Sequence, residues 1–193
     1  MIRIISGKHH GRHLVTPPGK DIRPTSDRVK TALFNILGAW IVDKTVLELF
    51  AGVGGVGFEC LSRGAARITF VERNPVALDC LMENATRLNE KEAMAVVPLS
   101  VEPMLARHVG TAFDLIFADP PYREAHLEEL LGQLDTSRAV GPDTILILEH
   151  SSRCRHEKGW QCAGWECYRV SRYGKTSLSF FSRIETQSED TNT

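Results

Sequence analysis

From residue 45 to residue 150 the apolar positions fall into two alternating patterns. Val46-Leu47-Glu48-Leu49-Phe50 is a short run, apolar on both faces apart from one acid, as in a strand covered on both sides. Similar runs predict strands near 45–50, 68–72, 94–98, 114–118 and 143–148. Between them, Leu78, Leu81, Ala85 and Leu88 recur at helical spacing behind Asn74 and Pro75, a good N-cap and first-turn residue. Leu127, Leu130, Leu131 and Leu134 mark another amphipathic helix. Upstream, Val29, Ala32, Leu33, Ile36 and Leu37 predict a helix capped by Thr25 or Ser26 and stopped by Gly38. Alternation of this kind makes a parallel sheet wound on both faces. The two ends differ. Arg3 to Ser6 and Arg12 to Thr16 predict a small β-hairpin with a basic tip, ended by Pro17, Pro18 and Gly19. Trp165 to Arg172 and Thr176 to Arg183, around Tyr173-Gly174-Lys175, predict an antiparallel C-terminal hairpin. The expectation is an α/β chain with a mostly parallel seven-stranded sheet.

The first predicted strand runs into Phe50-Ala51-Gly52-Val53-Gly54-Gly55-Val56-Gly57, a glycine turn opening a helix. Such a turn lets a ligand approach the backbone and presents free helix N–H groups to it. Gly52-x-Gly54-x-x-Gly57 matches the dinucleotide fingerprint, and Glu72 lies where a ribose-binding acid belongs. Two features favour S-adenosylmethionine over a dinucleotide. Glu48 sits in the strand just before the turn, where it could accept from an ammonium group and would repel a pyrophosphate.

The second feature is Asp119-Pro120-Pro121-Tyr122, at the carboxyl end of the predicted strand from Asp114 to Ala118. Ligands of open α/β sheets bind at that edge, so the tetrad faces the same crevice as the glycine turn. It suits methylation of a planar amine, whose lone pair is delocalised and whose nitrogen is a poor nucleophile. Acceptors against the amine hydrogens, the Asp119 carboxylate and the Pro120 carbonyl, favour rehybridisation and stabilise the developing positive charge. The prolines fix the turn, and Tyr122 can stack on the target ring. A nicotinamide oxidoreductase would leave this tetrad without a role. A parallel sheet closed by an antiparallel hairpin is also the methyltransferase variant of the Rossmann arrangement.

Composition adds a partner. The net charge is −1, yet residues 1–30 hold seven Lys/Arg against Asp21 and Asp27, so the arm carries +5 and the remainder −6. A basic arm on an acidic body suggests a polyanion. The 193 residues suit one domain, with residues 1–20 as a basic hairpin extension, 21–184 as the catalytic domain and 185–193 as a polar, disordered tail. No apolar run approaches a membrane span and no signal region opens the chain, so a cytoplasmic protein is expected. The five cysteines have no regular spacing, and His150, Cys154, His156, Cys162 and Cys167 match no standard zinc pattern, so no metal is expected.

The chain resembles the bacterial small-subunit ribosomal RNA guanine-N2 methyltransferases of the RsmD family, from about residue 2 to 183. The stretches that carry the resemblance run Arg3 to Arg12, Arg23 to Asn35, Leu49 to Gly52, Leu61 to Ala65, Phe70 to Glu72, Asp119 to Tyr122 and Arg172 to Gly174. The resemblance implies methyl transfer from S-adenosylmethionine to the N2 of a guanine in 16S ribosomal RNA, within an assembled small subunit, by a monomer. It implies a cofactor site made of Glu48, Phe50, Ala51, Gly52, Gly54, Glu72, Arg73, Ser100, Val101 and Asp119, with Glu72 on the ribose and Asp119 to Tyr122 on the guanine. Arg3, Lys8, His10, Arg12, Arg23, Thr25 and Arg28 would meet RNA, largely as phosphate contacts.

Three positions depart from the family pattern. Glu48 stands where Asp is usual, Val53 replaces a common Ser, and Leu99-Ser100-Val101 replaces Gly-Asp-Ala, whose Asp binds the adenine amino group. Two other readings stay open on the residues alone. An adenine-N6 methyltransferase would use the same tetrad, and an RNA-binding assembly factor would have lost catalysis.

Overall fold

In a computed structural model, residues 2–18, 25–121, 124–154 and 157–184 are described, the side chains of 124–126 excepted. The predicted strands form as β1 (Thr45–Leu49), β2 (Arg67–Val71), β3 (Met94–Val97), β4 (Phe113–Ala118) and β5 (Val140–Ser151). They pair in parallel, in the order β3-β2-β1-β4-β5. β7 (Trp165–Tyr173) and β8 (Thr176–Arg183) form the expected antiparallel hairpin, with β8 against β5. This is the Rossmann-like methyltransferase arrangement. The expected count of seven strands needs one correction. Gln161–Cys162 (β6) pairs with Trp165 and Glu166, making eight strands among the described residues. Its turn is Ala163-Gly164, with φ of 47° and 74°, so a left-handed alanine stands where Asn or Asp would advertise the turn.

Helices cover both faces. α1 (Asp27–Leu37), α2 (Gly57–Ser62) and α3 (Pro75–Leu88) pack on one side, α4 (Val101–Arg107) and α5 (Glu124–Asp135) on the other. Side chains alternate between the two layers as a pleated strand requires: Val46, Leu115, Phe117 and Ile147 join the first, Leu47, Ile116 and Leu148 the second. Ser26 caps α1 through Val29 N–H, and Asn74 caps α3 through Val76 and Ala77 N–H with Pro75 at its first turn.

The N-terminal segment folds back on itself through Ile4 N–H to Arg12 O, Gly11 N–H to Ile4 O and Leu14 N–H to Ile2 O, with one antiparallel bridge, Arg3 to His13. It is tied to the body. Ile2, Ile4 and Leu14 are buried in the first core layer. The Glu59 carboxylate, fully buried in α2, accepts from Ile5 N–H (2.7 Å), Ser6 N–H (3.0 Å) and Arg63 Nε (2.8 Å). Lys30 of α1, also fully buried, donates to Arg3 O at 2.6 Å and lies 4.0 Å from Glu59. Asn84 of α3 accepts from Val15 N–H and donates to Val15 O and Val53 O. The tail from 185 lies outside the described residues.

A buried charge stripped of its partner is costly, whereas an exposed pair contributes little. Glu59→Ala is therefore expected to cost about 3–5 kcal/mol in urea unfolding. Glu83→Ala, which breaks the exposed pair with Arg87, should cost under about 0.5 kcal/mol. Equal costs would contradict the anchoring role of Glu59.

Candidate active site

β1 is the point at which chain order reverses: β2 and β3 lie to one side of it, β4 and β5 to the other. Loops at the carboxyl ends of β1 and β4 therefore part and leave a crevice. A narrow cavity opens there, lined among others by Glu48, Phe50, Gly52, Phe117, Asp119 and Thr25. Strand alternation places its acids. Glu48 shares the face of Val46, and Asp119 continues the face of Leu115 and Phe117, so both point toward the layer of α1 and α2.

The Glu48 side chain turns under the glycine loop. Its carboxylate accepts from Gly57 N–H at 2.7 Å and Val56 N–H at 3.3 Å, the first free donors of α2. Burial pushes its pKa up to about 8, against the pull of those two amides and of Lys30, while Asp119 adds to the rise. The loop geometry depends on missing side chains. A Cβ on Gly57 would stand 2.4 Å from the Phe70 ring and 2.7 Å from Glu48 Oε2. Gly54 has φ of +81°, and a Cβ there would meet the Phe58 ring at 2.7 Å. Phe50 leaves β1 with φ of 56°, an uncommon conformation for an aromatic residue that turns the chain into the loop.

Glu72 follows β2 and holds the other side of the loop. One carboxylate oxygen accepts from Gly52 N–H at 2.7 Å, the other from Arg73 N–H (2.8 Å) and Asn74 N–H (2.7 Å). Ala51 N–H donates to Val71 O, so β2 and the loop are joined twice. Ser100 occupies the N-cap position of α4, where its hydroxyl makes no capping bond, and Val101 is buried behind it. Asp119 is half-buried, Pro120 buried and Pro121 exposed at the end of β4. Tyr122 and Arg23 lie outside the described residues.

Thr25 is brought to the cavity and donates to Glu149 at 2.7 Å. Glu149 is buried at the end of β5, on the face of Ile147, one strand beyond Asp119. Sequence reasoning missed it, although a lone acid closing the apolar run Ile145 to Leu148 was the available signal. It also missed Phe117 and Ile2, which line the cavity as plain core residues do. The basic residues are scattered. Arg3 pairs with Asp27, Lys8 with Glu90, and Arg12 donates to the Arg87 carbonyl, while His10 and Arg28 are exposed. Of the Cys/His set, His150 is held by Ser179 and the Ser151 carbonyl, and among the described residues no group of three or more His, Cys, Asp or Glu could hold a metal.

The donor set is one of acceptors. Glu48 and Asp119 inside the cavity, and Glu72 on the Gly52 amide beside it, suit a ligand carrying a cation and hydroxyl donors, and the carboxylates of Asp119 and Glu72 disfavour a pyrophosphate. They fit S-adenosylmethionine, and the class defined by fold and crevice is the Rossmann-like S-adenosylmethionine-dependent methyltransferase. A solved structure of an S-adenosylmethionine-dependent methyltransferase from Agrobacterium tumefaciens has the same fold at 17% identity, with a TM-score of 0.60 over 81% of this chain and 62% of that one. The solved structure of yhhF from Escherichia coli is nearer, with TM-score 0.82 and 33% identity over 96% of this chain and 99% of that one. The sequence family described as Conserved hypothetical protein 95 matches residues 2–182. Ribosomal RNA small subunit methyltransferase D of Escherichia coli is 35% identical over 188 residues, 97% of this chain and 92% of that protein. Its Haemophilus influenzae counterpart is 33% identical over 77% of this chain and 78% of its own length. The chain belongs to this family, the RsmD family.

Glu48 keeps its proton in the fold more tightly than its ordinary value of 4.5, so its contribution to stability is full below about pH 4.5 and lost as pH rises to about 8. The stability of wild type relative to Glu48→Gln is expected to fall over that window, by at most about 1.4 kcal/mol per pH unit, and to level off above it. Urea unfolding of both proteins between pH 5 and 9 measures it; a difference independent of pH would show that Glu48 is not a desolvated acid.

Proposed function

We propose that the protein transfers a methyl group from S-adenosylmethionine to the exocyclic N2 of a guanine in 16S ribosomal RNA, acting in the cytoplasm as a monomer on the small ribosomal subunit. The observation that carries this reading is the convergence of Asp119 with Glu48 on one cavity, at the carboxyl ends of β4 and β1, in a chain of this family. S-adenosylmethionine, when bound, supplies a methyl group on a positively charged sulfur.

The chain's own residues divide the remaining work. Glu48 and the loop from Phe50 to Gly54 receive the methionine end, Glu72 and Arg73 the ribose side, and Ser100 and Val101 the adenine edge. The buried, proton-retaining Glu48 gives up its proton when a cation enters beside it, since a nearby positive charge favours the ionised form. Asp119 and the Pro120 carbonyl accept from the amine hydrogens, drawing the nitrogen lone pair out of conjugation as attack begins. Asp119 or solvent takes the proton left after transfer. Tyr122 stacks on the guanine and keeps the amine in line. Thr25, held by Glu149, brings the start of α1 to the same cavity, and the arm of residues 1–20 meets RNA phosphates through its exposed cations.

Asp119→Ala is expected to lower turnover by a factor of roughly a hundred to a thousand with S-adenosylhomocysteine affinity nearly unchanged, as removal of one transition-state acceptor does. Near-normal turnover would remove Asp119 from the chemistry. Ribosomal RNA digested from cells lacking the gene should miss one N2-methylguanosine, read by mass spectrometry of the nucleosides. Loss of N6-methyladenosine in its place would assign the enzyme to adenine.

A further inference from the structure

Among the described residues, three cations of the N-terminal arm have partners within the protein, though their side chains stay partly exposed: Arg3 with Asp27, Lys8 with Glu90, Arg12 with the Arg87 carbonyl. A second basic surface has no ion pair among the described residues. β7 pairs with β6 only through Trp165 and Glu166, and Cys167 closes onto Gly159 and Trp160. Beyond it, from Tyr168 to Arg172, the outer edge of β7 borders a groove of about 580 Å³ whose other wall is Glu157 and Lys158. Lys158, Arg169 and Arg172 are exposed and make no ion pair with a described residue. Arg169 touches the Ser171 hydroxyl and lies over the Phe180 ring. Against the single acid Glu157, the groove carries a net charge of +2. Tyr168, 38% exposed, lies in the middle of it.

Topology brings this groove to the catalytic edge. β8 starts where β5 ends, Thr176 opposite Ser151, and β7 ends at Tyr173, opposite Thr176. Arg172 therefore stands at the same edge of the sheet as Asp119. Three strand spacings separate β7 from β4, about 14 Å, a distance that a few nucleotides of RNA span. Exposed Arg153 and Lys175 lie between, on adjoining turns joined by Ser152 N–H to Lys175 O.

We propose that this groove is an RNA-contact surface that holds the single-stranded segment beside the target nucleotide. Phosphates pair with Lys158, Arg169 and Arg172, and one base stacks on Tyr168. This rests on the reading of the substrate as RNA. Charges on an edge strand also prevent edge-to-edge association of sheets, and that role makes a different forecast.

The test is fluorescence anisotropy of a labelled polyuridine oligonucleotide titrated with the full chain at several KCl concentrations. The double variant Arg169→Ala/Arg172→Ala is expected to bind roughly tenfold or more weakly, with a slope of log affinity against log salt shallower by about 1.4. Tyr168→Ala should lose roughly tenfold without changing the slope. Retained binding of S-adenosylhomocysteine shows that each variant is folded. Unchanged RNA affinity and slope in folded variants would overturn the proposal, and self-association of the double variant alongside them would assign the arginines to edge protection. Wild type that binds the oligonucleotide and methylates ribosomal RNA, with variants that match it, refutes only the groove. Wild type that does neither refutes the RNA reading itself, and the groove with it.

Discussion

The arrangement hangs on one buried carboxylate. Glu48, inside the central strand, receives the amides of Val56 and Gly57 at the start of α2, and that contact fixes where the glycine loop lies and how the helix enters the core. Gly57 has to be glycine because its Cβ would occupy the space of Glu48 and Phe70, so the strand, the loop and the helix are specified together. Glu72 repeats the arrangement from β2, holding Gly52 by its amide. Backbone donors that could have faced an incoming phosphate are already satisfied by two side-chain acids. A loop that satisfies the dinucleotide spacing is thereby given the opposite electrostatic preference.

The same constraint explains why the crevice is acidic without being an open anion cluster. Glu48 is buried deeply enough to keep a proton to about pH 8, which limits its repulsion of Asp119 before a ligand arrives. A cation entering the cavity restores the charge. Asp119 is half-buried at the end of β4, and the two prolines that follow it restrict the backbone there. Thr25 and Glu149 then connect the start of α1 to the end of β5, so the N-terminal part of the chain closes one wall of the cavity and is more than an attachment to it.

Much of this was legible in the sequence, for physical reasons. Parallel strands buried on both faces leave unbroken apolar runs, and the caps Ser26 and Asn74 mark helix starts, so the five parallel strands and the helices α1, α3 and α5 were found close to their places. β6 was not, because two residues carry no alternation and its Ala163-Gly164 turn lacks the usual Asn or Asp. The tie between the arm and the body was also hidden. Ile2, Ile4 and Leu14 look like hairpin residues, and nothing local shows that Lys30 and Glu59, twenty-nine positions apart, are buried near each other. Charge was misleading in the same way: a basic count over residues 1–30 cannot reveal that Arg3 and Lys8 already have acidic partners, while Lys158, Arg169 and Arg172 near the C-terminal hairpin pair with no described acid. Glu149 was missed because a lone acid after a strand is common, and its partner lies 124 residues away.

The central claim is that this crevice takes a cationic nucleoside and rejects a pyrophosphate. Calorimetric titration with S-adenosylhomocysteine, and with NAD in a parallel experiment, tests it most directly. The account predicts micromolar binding of S-adenosylhomocysteine at pH 7, with release of a proton into the buffer as Glu48 ionises, and no heat from NAD. Binding of NAD, or no binding of S-adenosylhomocysteine, would contradict it.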